Sequence, residues 1–139
     1  MEDVSLHILD IVENALRARA KHIVIRLAQR KQADRLVLEV IDDGKGMDEE
    51  TKRRSLDPFF TTKQGKRVGL GLPLLAQAAE EAGGTLEVES APGQGTRVIA
   101  TFGLSHIDRR PLGDIKKTLY CLEATHPEVC FRFETIETD

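Results

Sequence analysis

The chain has 139 residues, of which 40% are hydrophobic and 31% charged, with a formal net charge of −3. This length and composition predict one globular domain with a real core. The acidic balance argues against nucleic acid or an anionic membrane surface as the main partner. No apolar stretch approaches the roughly 20 residues that span a bilayer, and the acidic start Met1-Glu2-Asp3 is unlike a signal peptide, so we expect a cytoplasmic protein. Cys121 and Cys130 are then expected to be reduced thiols of the core.

Helical periodicity is strong in residues 6–20, with Ser5 as the predicted N-cap. Apolar side chains form one side of this helix: Ile8, Ile11, Val12, Ala15, Leu16 and Ala18. Polar side chains form the other: His7, Asp10, Glu13, Asn14 and Arg17. Two strands rich in Val, Ile and Leu follow at residues 22–28 and 35–41, separated by a polar turn.

The rest of the chain predicts three more helices, a hairpin and a last strand. A short polar helix starts near Asp48 and is followed by an irregular loop at 57–67. The next helix starts near Gly69, with Pro73 in its first turn and Gly83-Gly84 at its end. Strands 85–90 and 96–102 form the hairpin, and helix 112–124 and strand 129–134 complete the chain. The succession predicts an α+β fold with a mixed sheet.

Three polar side chains on the first helix, Asp10, Asn14 and Arg17, are spaced at i, i+4 and i+7 and share one face. A carboxylate, an amide and a guanidinium together suit a hydrated Mg²⁺ held against phosphates. A solvated helix face has the same pattern. The spacing alone therefore leaves both interpretations open.

The segment from Asp42 to Met47 places an acidic residue at a strand end, followed by Gly44 and Gly46. Glycines let the backbone approach a flat ligand closely, and the carboxylate can accept a hydrogen bond from an amino group such as that of adenine. In isolation the segment is equally typical of an acidic glycine-rich turn. It is not an EF-hand loop, which needs alternating oxygen ligands and a closing Glu.

Gly65, Gly69 and Gly71 lead into the next helix, where uncovered backbone N–H groups favour phosphate. The spacing matches neither the P-loop nor the dinucleotide-binding glycine pattern, so a phosphate site here would be of another kind. Gly93, Gly95 and Thr96 would by themselves be an ordinary hairpin turn.

Taken in order, these segments resemble the Bergerat-fold (GHKL) ATPase superfamily, and most closely the ATP-binding domain of histidine kinases. The matching segments are residues 10–17 (the N box), Asp42-x-Gly44-x-Gly46-Met47, residues 57–63 (the F box), residues 69–72 and residues 93–96. The resemblance covers roughly residues 5–103. It implies a two-layer α/β sandwich with helices on one face of a mixed sheet for residues 1–103. Residues 104–139 would be a helix-strand extension packed on the same domain.

The resemblance also implies ATP and Mg²⁺ as cofactors. Asn14 would hold Mg²⁺, Asp42 would bind the adenine amino group, and Thr96 would assist near adenine. The other implied nucleotide contacts are Arg17 and Lys63 at the phosphates, Gly44, Gly46 and Met47 in the first glycine box, and Gly69, Leu70 and Gly71 in the lid, with Phe59 and Phe60 as lid anchors. Asp10 departs from the family pattern, which has Glu in hydrolysing members and Asn in histidine kinases, and is a candidate general base.

Histidine kinases usually carry a dimerisation and phosphoacceptor region ahead of this domain, whereas four residues precede the first helix here, so we expect that region to be missing. This favours a phosphotransferase acting on a protein partner in trans. The alternatives are a serine kinase or nucleotide-gated binding module resembling the anti-sigma factors, and a slow ATPase with Asp10 as base.

Residues 104–139 have two interpretations. The helix offers Leu112, Ile115, Leu119 and Leu122 at near-helical spacing, and the strand turns Val129, Phe131 and Phe133 to one face. The segment either completes the core and covers a sheet edge, or forms a docking surface for a partner or for a second copy of the chain in a homodimer.

Overall fold

The computed structural model describes residues 4–57, 71–104 and 111–138. The elements are α1 (Val4–Arg17), β1 (His22–Arg30), β2 (Arg35–Asp42), α2 (Glu49–Ser55), α3 (Gly71–Glu81), β3 (Leu86–Ser90), β4 (Thr96–Gly103), α4 (Pro111–Thr125) and β5 (Cys130–Thr138). Within those ranges, none of the helices has both the length and the apolar character needed to cross a membrane.

The five strands form one sheet in the order β3-β4-β2-β1-β5. The pairs β3–β4, β4–β2 and β2–β1 are antiparallel, and β5 lies parallel to β1. The predicted α+β class and mixed sheet are therefore confirmed.

The pleat of each strand sends alternate side chains to opposite faces of the sheet. On β1, Ile23, Ile25 and Leu27 are fully buried, whereas Val24 and Arg26 between them are half-buried. These side chains belong to one hydrophobic cluster with the buried side chains of α1, α3 and α4. One face of the sheet is thus the core, as the two-layer arrangement requires.

The first helix ends earlier than its periodicity predicts. Arg19 has a φ of 62°, and the N–H groups of Arg19 and Ala20 donate to the carbonyls of Leu16 and Ala15. This is a Schellman ending with arginine where glycine is usual. The helix therefore stops at Arg17 rather than at Ala20.

Two predictions at the start of α1 are wrong. Ser5 is not an N-cap, because the helix already begins at Val4. His7 lies in the core with 3% of its surface exposed, although the periodicity assigned it to the polar side. An imidazole has enough apolar surface to pack in a core, and classing histidine as a polar residue led to the wrong prediction.

Two other helix ends agree with the sequence. Asp48 caps α2 by accepting a hydrogen bond from the Thr51 N–H at 2.7 Å, which also lowers the pKa of its carboxyl group. Gly83 ends α3 with a φ of +78°, and the Gly84 N–H donates to the Ala79 carbonyl. Both are motifs that short sequence patterns specify well.

The C-terminal elements extend the same sheet and helical layer. Strand β5 pairs with β1 over nine residues, from His22↔Cys130 to Arg30↔Thr138. Ile115, Leu119 and Leu122 of α4 are buried in the core, as their spacing predicted. Cys121 and Cys130 are free but exposed, so their assignment to the core is wrong.

A row of ion pairs crosses the other, open face of the sheet. Arg26 on β1 donates to Glu39 on β2 at 3.0 Å and to Glu134 on β5 at 3.2 Å. Arg97 on β4 also donates to Glu39, and to Glu89 on β3 at 2.9 Å. Charges of alternating sign therefore connect all five strands, with Glu39 at the centre.

Candidate functional site

A cavity of about 250 Å³ opens where α1 passes over the ends of β2 and β4. Its walls combine apolar and polar side chains from α1, the end of β2 and the loop after it, α2, α3 and the start of β4. The lining residues are Ile11, Asn14, Ala15, Arg17, Ala18, Asp42, Lys45, Gly46, Met47, Thr51, Ser55, Leu72, Thr96 and Val98. Six residues singled out from the sequence are among them, namely Asn14, Arg17, Asp42, Gly46, Met47 and Thr96.

Helix α1 supplies one polar pair and part of the apolar wall. Asn14 and Arg17 lie on adjacent turns, and the Arg17 guanidinium donates to the Asn14 amide oxygen Oδ1. Asp10, one turn before Asn14, is half-buried and is not among the lining residues of the described chain. The helix therefore presents an amide oxygen and a guanidinium to the cavity.

Asp42 is the last residue of β2, and a backbone group fixes its carboxylate. The Gly44 N–H donates to Oδ1 at 2.8 Å. Burial raises the pKa of Asp42 above its usual value of 3.8, against the opposing effect of the nearby backbone N–H groups. The site thus holds a partly desolvated carboxylate in a set direction.

The glycines beside Asp42 have a packing role. Gly46 has a φ of +72°, and a Cβ there would lie 2.0 Å from the Ala91 carbonyl oxygen. Gly95 has a φ of +78°, and its Cβ would lie 2.1 Å from the Asp42 carbonyl oxygen. Only glycine lets the loop after β2 pack this closely on the β3–β4 turn. Gly44 does not line the cavity but acts on it through its hydrogen bond to Asp42.

Sequence reasoning missed Ser90, the last residue of β3. Its hydroxyl accepts from the Met47 N–H at 2.8 Å, donates to the Gly95 carbonyl at 2.8 Å and lies 2.9 Å from the Thr96 hydroxyl. The available signal was the hairpin register, which places Ser90 opposite Thr96. Lys45 and Leu72 lie within the two glycine-box segments but were not singled out as contacts. Thr51 and Ser55 were missed because they belong to no motif.

Asp43, next to Asp42, organises the backbone behind the cavity. Its Oδ1 accepts from the N–H groups of Lys21 and His22 at 2.7 and 2.9 Å, and its Oδ2 lies 2.7 Å from His22 Nδ1. The His22 N–H bond is the largest of the effects that lower the pKa of Asp43 to about 2. The two adjacent carboxylates therefore differ in environment, one facing the cavity and one bracing the α1–β1 turn.

Several predicted positions lie outside the described residues. These are Phe59, Phe60, Lys63, Gly65, Gly69 and Leu70. Gly71 begins α3, directly before the cavity-lining Leu72.

The lining chemistry fits a nucleotide. Side chains such as Ile11, Ala18 and Val98 offer apolar walls for a flat base, and Asp42 offers an acceptor for an amino group. Asn14 offers the kind of oxygen ligand that Mg²⁺ takes, and Arg17 offers a cation for phosphate. A site of this composition can bind a purine at one part of the cavity and anionic groups at another.

Comparison with known proteins agrees with this chemistry. The family model for histidine kinase-, DNA gyrase B- and HSP90-like ATPases matches residues 2–106. Sporulation kinase C of Bacillus subtilis is 35% identical over 88 residues, covering 63% of this chain and 20% of that protein. Sensor protein kinase FleS of Pseudomonas aeruginosa is 39% identical over 111 residues, covering 79% of this chain and 27% of that protein. This chain thus spans about a fifth to a quarter of the length of these relatives.

A solved structure shares the fold. The ATPase domain of MutL from Aquifex aeolicus, complexed with ADP, superposes with a TM-score of 0.60 at 16% identity, covering 97% of this chain and 60% of that one. The family model, which covers more than half of the chain, and the shared fold lead to the same assignment. This chain belongs to the family of histidine kinase-, DNA gyrase B- and HSP90-like ATPases.

Proposed function

We propose that this chain is an ATP- and Mg²⁺-binding domain of histidine-kinase type that supplies a phosphoryl group to a protein partner in trans. The observation that carries the proposal is the shared cavity of Asn14 and Arg17 on α1 with Asp42 and Thr96 at the strand ends. The kinases that resemble this chain over 88 to 111 residues support the histidine-kinase type.

Adenine recognition would rest on Asp42. An ionised carboxylate only accepts hydrogen bonds, and Oδ1 of this one already accepts the Gly44 N–H, so its remaining lone pairs have a defined direction. An amino group meeting that direction gains a charge-assisted hydrogen bond in a partly desolvated site. The apolar residues of the cavity would pack on the faces of the base.

Metal and phosphate recognition would rest on α1. The Asn14 amide oxygen is a suitable Mg²⁺ ligand, and the Arg17 guanidinium that now occupies it is a suitable phosphate partner. Mg²⁺, when bound, would neutralise charge on the phosphate oxygens. We expect Asn14→Ala to weaken ATP binding more in the presence of Mg²⁺ than in its absence. Lys63, Gly69, Leu70 and Gly71 remain proposed phosphate and lid contacts.

His7 is poorly placed to be a phosphoacceptor, because it is buried in the core. Its burial is consistent with an acceptor on another protein. We further propose that residues 104–139 belong to the same domain as residues 1–103, since β5 pairs with β1, and that the protein is cytoplasmic.

The test of nucleotide binding is Asp42→Asn, measured by calorimetry with ATP and with ADP. Losing the carboxylate should weaken both by about 1–3 kcal/mol, or up to roughly 100-fold, with the fold intact. Because binding uses the ionised form, wild-type affinity should also fall as the pH drops through the raised pKa of Asp42, and the variant should lack this dependence. Glu87→Gln, an exposed change on β3, is the matched control. Unchanged ATP affinity in Asp42→Asn would rule out the adenine assignment.

The test of phosphotransfer is incubation with labelled ATP and cell extract. A labelled partner supports the proposal, and steady phosphate release without a partner supports a slow ATPase instead. In the second case Asp10→Asn should reduce turnover about 10²–10⁴-fold, whereas transfer to histidine should be nearly insensitive to it. ATP-dependent capture of a partner without its labelling would indicate a nucleotide-gated binding module.

A further inference from the structure

The Ser90 hydroxyl has a complete set of hydrogen-bond partners. A serine hydroxyl carries one proton and two lone pairs. The Gly95 carbonyl can only accept, so the 2.8 Å contact takes the Ser90 proton. The Met47 N–H can only donate, so it takes one lone pair. One lone pair remains for the third partner.

That third partner is the Thr96 hydroxyl, 2.9 Å away. Since the Ser90 proton is committed to Gly95, the proton between the two hydroxyls has to come from Thr96. Thr96 lines the cavity and Ser90 does not. On the cavity side, the Thr96 hydroxyl therefore presents its lone pairs and acts as a hydrogen-bond acceptor.

Thr96 also lies opposite Asp42 in the register of β2 and β4, as Ser90 lies opposite Thr96 in that of β3 and β4. The three side chains therefore form one row across the strand ends. Its two members in the cavity, the Asp42 carboxylate and the Thr96 hydroxyl, are both acceptors.

We propose that Ser90 is a positioning residue that determines base specificity by holding the Thr96 hydroxyl as an acceptor toward the cavity. A base with an exocyclic amino group brings a hydrogen-bond donor to the two acceptors of the cavity, the Asp42 carboxylate and the Thr96 hydroxyl. A base with a keto oxygen at that position meets them with a third acceptor, which is repulsive and leaves buried polar groups unpaired. This inference rests on the proposed nucleotide function and adds to it the residue that sets the choice between amino and keto purines.

The experiment compares ADP with IDP, which carries a keto oxygen in place of the amino group of adenine, by calorimetry on the full chain. Wild type should prefer ADP. Ser90→Ala frees the Thr96 proton to turn toward the cavity, so the preference for ADP over IDP should fall about tenfold. Ser90→Thr keeps the hydroxyl and should keep the preference within about twofold.

A double-mutant cycle separates positioning from loss of structure. In a Thr96→Val background there is no hydroxyl to direct, so adding Ser90→Ala should leave the ratio of ADP to IDP affinity unchanged. If Ser90→Ala instead weakens both ligands by the same factor in the wild-type background, Ser90 only supports the loop through Met47 and Gly95, and the inference is wrong while the nucleotide function stands. Wild type that binds neither ligand overturns the proposed function itself.

Thr96→Val alone keeps the inference testable if Ser90→Ala does not fold. An acceptor lost from the cavity should weaken ADP binding and leave IDP binding unchanged or improved. The opposite result, a selective loss of IDP binding, would mean that Thr96 donates to the base and would overturn the inference.

Discussion

The two faces of the sheet bury their side chains by different means. On the helix-covered face, Leu38 of β2 is 1% exposed because hydrocarbon from α1 and its neighbours packs on it. On the open face the next residue, Glu39, is 7% exposed because two arginines lie on its carboxylate. Burial on the first face is sustained by packing and on the second by charge pairing. The two faces should therefore respond differently to substitution.

The largest difference should come from Leu38→Ala compared with Val37→Ala, neighbours that point to opposite faces. Leu38→Ala leaves a cavity in a close-packed layer and should lower the free energy of unfolding by about 3 kcal/mol. Val37 is half-buried on the open face, so its truncation should cost under about 1 kcal/mol. Chemical denaturation of both variants measures the contrast. Equal losses would mean that the open face is as tightly packed as the core.

The rim of the cavity can be compared with the tip of the same turn. Gly95→Ala forces a side chain at φ +78° and places its Cβ 2.1 Å from the Asp42 carbonyl oxygen, so we expect a loss of about 2–3 kcal/mol and weaker ADP binding. Gly93 has a similar φ of +77°, and no atom of the described residues lies within 4 Å of a Cβ built there. Gly93→Ala should therefore cost only the backbone strain, about 1 kcal/mol, and leave ADP affinity unchanged.

On the open face, Glu39→Ala should lower the free energy of unfolding by about 2 kcal/mol. The figure is below that for a fully buried pair, because Arg26 and Arg97 are themselves 34% and 44% exposed and can be rehydrated. Glu39→Gln keeps the shape and one acceptor and should cost about half as much. A loss as large as that of Leu38→Ala would place this face in the same energetic class as the core.

The smallest effect should be that of Asp43→Asn, about 1 kcal/mol, because nearly half of the Asp43 side chain is exposed and solvent screens its interactions. The pKa of Asp43 is lowered in the folded state, so its contribution is fully present above the unfolded value of 3.8 and is lost as the pH falls toward 2. The difference in stability between wild type and variant should accordingly shrink over that range. A difference that is constant with pH would contradict the assignment.

Local patterns predicted the elements well and their ends less well. Short signals predicted the start of α2 near Asp48 and the Gly83 ending, and the second strand extends only one residue beyond its prediction, to Asp42. The end of α1 could not be read in this way, because Arg19 adopts a conformation that arginine rarely takes and the surrounding contacts stabilise it. The prediction for His7 was wrong for a related reason. The burial of a helix residue depends on which elements pack against the helix, and the polarity of the residue type does not determine it.

In the candidate site, too, the residues that lie in local motifs were predicted, and a residue placed by tertiary structure was not. Asn14, Arg17, Asp42 and Thr96 were found from motifs, and the structure brings them to one cavity. Ser90 could not be found from motifs, because its three partners come from the loop after β2 and the β3–β4 turn, and the strand register alone decides that they meet. The row of ion pairs on the open face depends on strand order in the same way.

The parallel pairing of β1 with β5 has a consequence for synthesis of the chain. Arg26 on β1 and Glu134 on β5 are hydrogen-bonded to each other and are separated by 108 positions. During synthesis, β1 therefore has no second neighbouring strand until the intervening residues have been made. Until then β1 has an open edge next to a hydrophobic face, the kind of intermediate that invites association between nascent chains. Pairing at such long range also closes slowly. We therefore expect the yield of folded protein to depend on chaperone supply and growth temperature more than the stability of the finished domain would suggest.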